Sequence, residues 1–237
     1  MGIIPIYLIE SKEDLEKAKD NYCYLVGSNG TFVKKENHVF SVIQHIHSGK
    51  GTISGLQEIE AKAFIRLPQI PEDIVKTILD FFSWCYNKYK AEGMVYLYYN
   101  SATKKYIVIP PKQEVSSGSV SYEIVPKAPE GFITVGTIHS HGSMGAFHSG
   151  TDDKDQTELD GIHITVSKAY SPFPEFDARL YVGGVPYKVD ENRLMASLPK
   201  PKLSFPQEWE NVVAEKKITP AIYNYPASKD YKFYQNQ

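Results

Sequence analysis

The chain has 237 residues, of which 42% are hydrophobic and 23% charged, with a net charge of −2 and a pI of about 6.4. That size and balance fit one main globular domain with an extension and exclude the basic footprint of a nucleic-acid-binding domain. Two distant cysteines, Cys23 and Cys85, exclude a disulfide framework and point to a reducing cytoplasm. The opening MGIIPIYLIESKEDLEK lacks a basic n-region, and no apolar run is long enough to span a bilayer, so a cytoplasmic protein with no membrane partner is expected.

Residues 1–69 read as a β-rich N-terminal region. In NYCYLVGSNGTFVKK two strand-like runs flank Ser28-Asn29-Gly30, a hairpin signal. KENHVFSVIQHIH alternates only loosely through Val39, Val42 and Ile46, SGKGTISGLQ reads as a loop, and AKAFIRLP reads as a strand. The spacing predicts a helix over 71–91. Pro71 suits its first position, Glu72 and Asp73 suit the positive end of its dipole, and Ile74, Ile78, Phe82, Cys85 and Tyr89 form an apolar stripe. Cys85 lies on that stripe and reads as a core residue rather than a nucleophile.

Beyond the helix, MVYLYYN and YIVIP read as strands around the turn SATKK. PPKQEVSSGS reads as a loop by composition, SVSYEIV as a strand and PKAPEG as a turn. GFITVGTIH has the unbroken apolar character of a buried strand. TDDKDQTELDG reads as a short helix ending at Gly161, followed by strands IHITVS, ARLYV and VPYKV, the last two joined at Gly183-Gly184. From about Leu198 the tail carries five prolines and one short helix, QEWENVVAEKK. The predicted organisation is thus 1–69, a central domain over 70–190, and a C-terminal tail over 191–237. The 17 tyrosines read as half-buried strand positions.

The stretch His139–Asp152, HSHGSMGAFHSGTD, carries the chemistry. Alternate residues of a strand share a face, so His139 and His141 present two imidazoles side by side at the end of GFITVGTIH. A catalytic zinc site takes three protein ligands and leaves one position open; Asp152, at the opening of the next element, is the candidate third. Ser149-Gly150-Thr151-Asp152 also fits a capping box, which accounts for Ser149 and Asp152 without a metal. It does not account for two imidazoles at the end of a buried strand. His45-Ile46-His47 repeats the His-x-His spacing with no aspartate at the corresponding distance, and reads as ordinary strand or loop.

The full pattern, His-x-His-x7-Ser-x-x-Asp, resembles the motif of the JAMM (MPN-type, prokaryotic JAB-like) zinc metalloproteases and deubiquitinases. The resemblance spans about residues 70–190 and is strongest over 132–167. It implies an α+β fold whose core is a mixed β-sheet flanked by helices, here with the β-rich N-terminal extension and the C-terminal tail. It implies Zn2+ held by His139, His141 and Asp152 with water as the fourth ligand, Ser149 as donor to the oxyanion, and an upstream glutamate as general base. Glu92, in KYKAEGMVYLYYN, stands at the expected junction of helix and strand; Glu58, Glu60, Glu114, Glu123 and Glu130 fit worse. Many members carry proline where this chain has Gly142 and His148. His148 reads as a rim residue or an outer contact of the site, and His163 as a packed or hydrogen-bonded histidine. The implied function is hydrolysis of a peptide or isopeptide bond at the C-terminus of a ubiquitin-like protein, with an activating-enzyme homologue as a further partner. The alternatives are a catalytically inactive MPN-like scaffold and a JAMM peptidase processing a sulfur-carrier-like protein or an unrelated peptide.

Overall fold

The computed structural model describes residues 3–47, 53–117, 119–122, 128–146, 159–196 and 204–216. The N-terminal residues form a five-stranded sheet in chain order: β1 (Ile6–Leu8), β2 (Tyr22–Gly27), β3 (Gly30–Glu36), β4 (Phe40–His47) and β5 (Lys62–Ile65). Helix α1 (Lys12–Lys17) links β1 to its parallel partner β2, and Ser11 and Asp14 close a capping box at its start. The expected hairpin is present with its turn shifted by one residue. Gly27 pairs with Gly30, so Ser28 and Asn29 form the loop and Gly30 takes the positive φ of 139°. Asn29 then ties the turn to Ile59, donating to its carbonyl at 2.9 Å and accepting from its N–H at 3.0 Å. The loosely patterned KENHVFSVIQHIH contains the full strand β4, because this strand feeds two cores. Ile43 packs in the small core of this sheet, while Val39, Phe40 and Val42 join the main core.

The main core forms where α2 (Glu72–Tyr89) packs through Val75, Ile78, Leu79, Phe82 and Cys85. Pro71 is its N-cap rather than its first helical residue, and Lys90, at φ 53°, ends it in the left-handed conformation. The helix covers one face of a six-stranded mixed sheet ordered β13-β12-β11-β10-β6-β7. These strands are β6 (Met94–Asn100), β7 (Lys105–Ile109), β10 (Ile133–Ser140), β11 (Gly161–Ser167), β12 (Glu175–Val182) and β13 (Val185–Val189). β10 and β11 are parallel, and the other neighbours are antiparallel. Period-2 alternation divides the two faces. Ile138, Ile164 and Val166 line a small void beneath Val75, Ile78 and Leu79 of the helix. The residues between them, Thr137, His139, His163, Thr165 and Ser167, form a polar face that is nonetheless buried.

A third sheet, ordered β14-β8-β9, is built from β8 (Gln113–Ser116), β9 (Ser119–Tyr122) and β14 (Val213–Glu215). Two sequence readings change here. The loop expected over PPKQEVSSGS contains β8. The helix expected over QEWENVVAEKK is a 3₁₀ helix, Gln207–Val212, running into β14. The cause is tertiary. Trp209 stands edge-on to Phe81 of α2 at 5.2 Å, which fixes the segment, and β14 then pairs in parallel with β8, with Val213 opposite Gln113. A short helix α3 (Glu191–Leu194) is capped by Asp190. Of the helix expected over TDDKDQTELDG, all but the last three residues lie outside the described set, and Gly161 opens β11 rather than closing a helix. The described residues are more sheet-rich than expected, with α2 the one helix of more than two turns among them. None of their helices is long and apolar enough to cross a membrane.

β10 and β11 approach closely because glycine faces backbone on both strands. A Cβ on Gly136 would lie 1.6 Å from the Ile162 carbonyl oxygen, and one on Gly161 would lie 2.6 Å from that of Val135. Gly136→Ala is therefore expected to destabilise the fold by at least about 3 kcal/mol in denaturant unfolding, at the upper end of single-substitution effects. A loss below about 0.5 kcal/mol would show that the strands separate readily.

Candidate metal centre

The site begins with the register of β10 against its neighbours. On one side Ile138 stands opposite Val95 and His139 opposite Met94. Ser140 continues the ladder: its N–H donates to the Gly93 carbonyl at 2.8 Å, and its hydroxyl accepts from the Gly93 N–H at 2.9 Å. One step further along this register, Glu92 comes opposite His141. Residues opposite one another in an antiparallel pair share a face, so Met94, His139, Glu92 and His141 are directed to the same side. On the other side His139 pairs with Thr165 of β11, whose Oγ1 lies 3.4 Å from His139 Nε2. Glu92 and His139 are 6% exposed and His141 4%, so the groups meet where water is scarce.

The two imidazoles face each other through Nε2 atoms 3.1 Å apart, with ring centroids separated by 5.0 Å. Two chemical arrangements fit that approach. A proton on one Nε2 makes a hydrogen bond to the lone pair of the other. Alternatively, both nitrogens are unprotonated and share a cation; two nitrogens on one tetrahedral zinc, each about 2.0–2.1 Å from it, lie about 3.3–3.4 Å apart. The observed separation is within a few tenths of an ångström of that value, so the donor pair fits zinc. Among the described residues no group of three His, Cys, Asp or Glu side chains is assembled for a metal. The expected third ligand Asp152, the expected oxyanion donor Ser149 and the neighbouring His148 all lie outside the described residues.

The backbone after His141 is held onto β11. The His141 N–H donates to the Val166 carbonyl, the Lys168 N–H to that of Gly142, and the Met144 N–H to that of His141. The Ser167 hydroxyl also donates to the Met144 carbonyl. The departure from proline at Gly142 has a backbone cause. Gly142 sits at φ 55°, whereas proline is fixed near −65°. A Cβ there would also lie 3.2 Å from the ring of Tyr86, which stacks on Tyr170 at 4.4 Å.

The remaining candidates separate cleanly. His163 stands two residues before Thr165 on the same face, with both ring nitrogens engaged. Its Nε2–H donates to the Leu159 carbonyl at 2.9 Å, so its Nδ1 accepts from the Thr137 hydroxyl at 2.7 Å. This is the packed, hydrogen-bonded histidine expected from the sequence. His45 lies in β4 against the Phe32 ring at 4.0 Å. Glu58, Glu60, Glu114 and Glu130 are exposed, and Glu123 lies outside the described residues. Cys85 is fully buried, and burial pushes its thiol well above the ordinary range, which suits a core residue and not a nucleophile. Sequence reasoning missed Gln113, whose buried amide bonds the backbone of Met94. Its one sequence signal is a long polar residue between Pro111 and Val115 in what reads as a loop.

The chain matches no protein-family profile and no curated protein. Among solved structures it is similar to a JAB1/MPN domain protein from Archaeoglobus fulgidus, with 19% identity, 54% of this chain and 96% of that chain covered, and a TM-score of 0.35.

Placing proline at the turn tests the reading of Gly142. Gly142→Pro is expected to cost about 1–3 kcal/mol in denaturant unfolding of the metal-free protein, because the required φ is closed to proline. Wild-type stability in that variant would show the turn has no such requirement.

Proposed function

We propose that the chain is a zinc-dependent peptidase or isopeptidase of JAMM type. The observation that carries this reading is the buried pair of facing imidazoles, His139 and His141, with Glu92 across the ladder on the same face. His139 and His141 would hold the metal through Nε2, with Asp152 as third ligand. When bound, zinc supplies Lewis acidity and makes water acidic enough to yield a nucleophile near neutral pH. Glu92 moves the proton: its carboxylate takes one from the attacking water and returns it to the leaving amine. Burial of Glu92 keeps bulk water from competing for that transfer. Ser149 donates a hydrogen bond to the carbonyl oxygen as it gains charge. The substrate follows from the motif resemblance alone: the C-terminal tail of a ubiquitin-like or sulfur-carrier-like protein, with an activating-enzyme homologue as partner.

Metal analysis of the purified chain, combined with cleavage of ubiquitin carrying a fluorogenic amide at its C-terminus, tests the proposal. Wild type is expected to hold one zinc per chain and to lose activity to a chelator. His141→Ala is expected to lose the zinc. Glu92→Gln is expected to keep it while turnover falls by about 10²–10⁴, the usual contribution of general acid–base catalysis. Full turnover in Glu92→Gln would remove the general base from the scheme. A wild-type chain that takes up no zinc would leave the scaffold reading in its place.

A further inference from the structure

The first three residues approaching and entering β6 are clamped from both sides, and one clamp is a side chain. In an antiparallel strand the N–H and C=O of each residue point to one neighbour, and those of the next residue to the other. Gly93 points to β10, where it meets Ser140. Glu92 and Met94 therefore point the opposite way, to the side where β7 runs further along. β7 reaches only as far as Ile109, opposite Tyr96, and Pro110 and Pro111 follow. Proline has no N–H to extend the ladder.

Gln113 takes over where β7 stops. Its amide reproduces the two-way exchange of a peptide group: Oε1 accepts from the Met94 N–H at 2.9 Å, and Nε2 donates to the Met94 carbonyl at 3.0 Å. Nε2 also donates to the Pro111 carbonyl at 3.2 Å, which fixes the amide from behind. The side chain is 2% exposed, so no water competes for these bonds. Three residues later, the Ser116 carbonyl accepts from the Glu92 N–H at 3.3 Å. β8 is itself braced by β14, which pairs with Gln113, Glu114 and Val115.

We propose that Gln113 is a positioning residue for Glu92: its amide, with the Ser116 carbonyl, sets the backbone of Glu92–Met94 against β10 and so sets where the Glu92 carboxylate stands relative to His139 and His141. The proposal rests on the reading of Glu92 as general base. Gln113 touches neither metal nor substrate, so its loss acts on turnover through geometry. Small displacements of catalytic groups cost large factors in rate.

The test uses the full chain with Gln113→Leu, which keeps the bulk of the side chain and loses its hydrogen bonds, and Gln113→Glu, which keeps the acceptor for the Met94 N–H. Amide hydrogen exchange, zinc content, and kcat and KM on ubiquitin with a C-terminal fluorogenic amide are measured on both. In Gln113→Leu, exchange at Met94 is expected to rise at least tenfold, with Val95–Tyr99 unchanged. Zinc content and KM should hold, and kcat should fall about 10–100-fold. Gln113→Glu should restore Met94 protection and part of kcat. Unchanged kcat with a freed Met94 amide would overturn the positioning role, and so would a joint loss of zinc and of β6 protection with a raised KM, which marks a structural role. If Gln113→Leu does not fold, Gln113→Met, close in shape to glutamine and also without the two hydrogen bonds, decides: wild-type kcat with a freed Met94 amide would equally overturn the positioning role. A wild-type chain with neither zinc nor cleavage fails the function, and the catalytic consequence with it, before any variant is compared; Met94 exchange still decides whether the clamp exists.

Discussion

The register of β10 between its two neighbours is the constraint on which the rest depends. A strand slipped by one residue exchanges its faces. Such a slip in β10 would turn His139 and His141 toward α2 and bring Ile138 to the polar side. Two features hold the register. Gly136 and Gly161 let β10 and β11 approach at a distance no side chain permits, and a register shift between Thr134 and Gly136 adjusts β10 against β6 just before the histidines. The exchange between Ser140 and Gly93 then carries the ladder on to Glu92.

Within that frame the sheet separates two kinds of burial. Toward α2 the side chains are aliphatic and aromatic, and their removal from water stabilises the fold. On the opposite face Thr137, His139, His163 and Thr165 are buried polar groups, which are costly unless they are partnered. His163 meets this requirement with protein alone, through Leu159 and Thr137. His139 and His141 meet it in a way that stays chemically open. A single proton between the two Nε2 atoms partners those two atoms without metal, and the same pair of nitrogens has the spacing to share a cation instead. His163, two residues before Thr165 on the same face, has both ring nitrogens committed to protein partners and no such alternative.

The sequence made some of this legible because the signals were local. The three- and four-residue stripe of α2, the turn at Gly183-Gly184 and the His-x-His spacing at the end of a buried strand need no distant partner to be seen. Glu92 as a candidate comes from the motif resemblance, and its position opposite His141 is a matter of register. β8 was not legible. Four residues carry too little alternation to show a period, and this strand exists because β14, about 100 positions away, pairs with it. For the same reason the 3₁₀ helix and β14 read as one helix: Trp209 against Phe81 decides the path, and composition does not. Gln113 was hidden because its role belongs to a ladder that stops at Pro110. Ser149 and Asp152 lie outside the described residues, so their part of the motif stands on spacing.

The proposed chemistry requires that His139 and His141 bind one cation through Nε2. Nitrogen NMR of the histidine side chains, recorded on metal-free protein and again after one equivalent of zinc, tests it most directly. A shared-proton signature at the two Nε2 atoms is expected without metal, replaced by metal-bound Nε2 signals at both rings on addition of zinc, with His163 unchanged. Histidine spectra that are the same with and without zinc would contradict it, and the facing imidazoles would then be a hydrogen-bonded pair of the core.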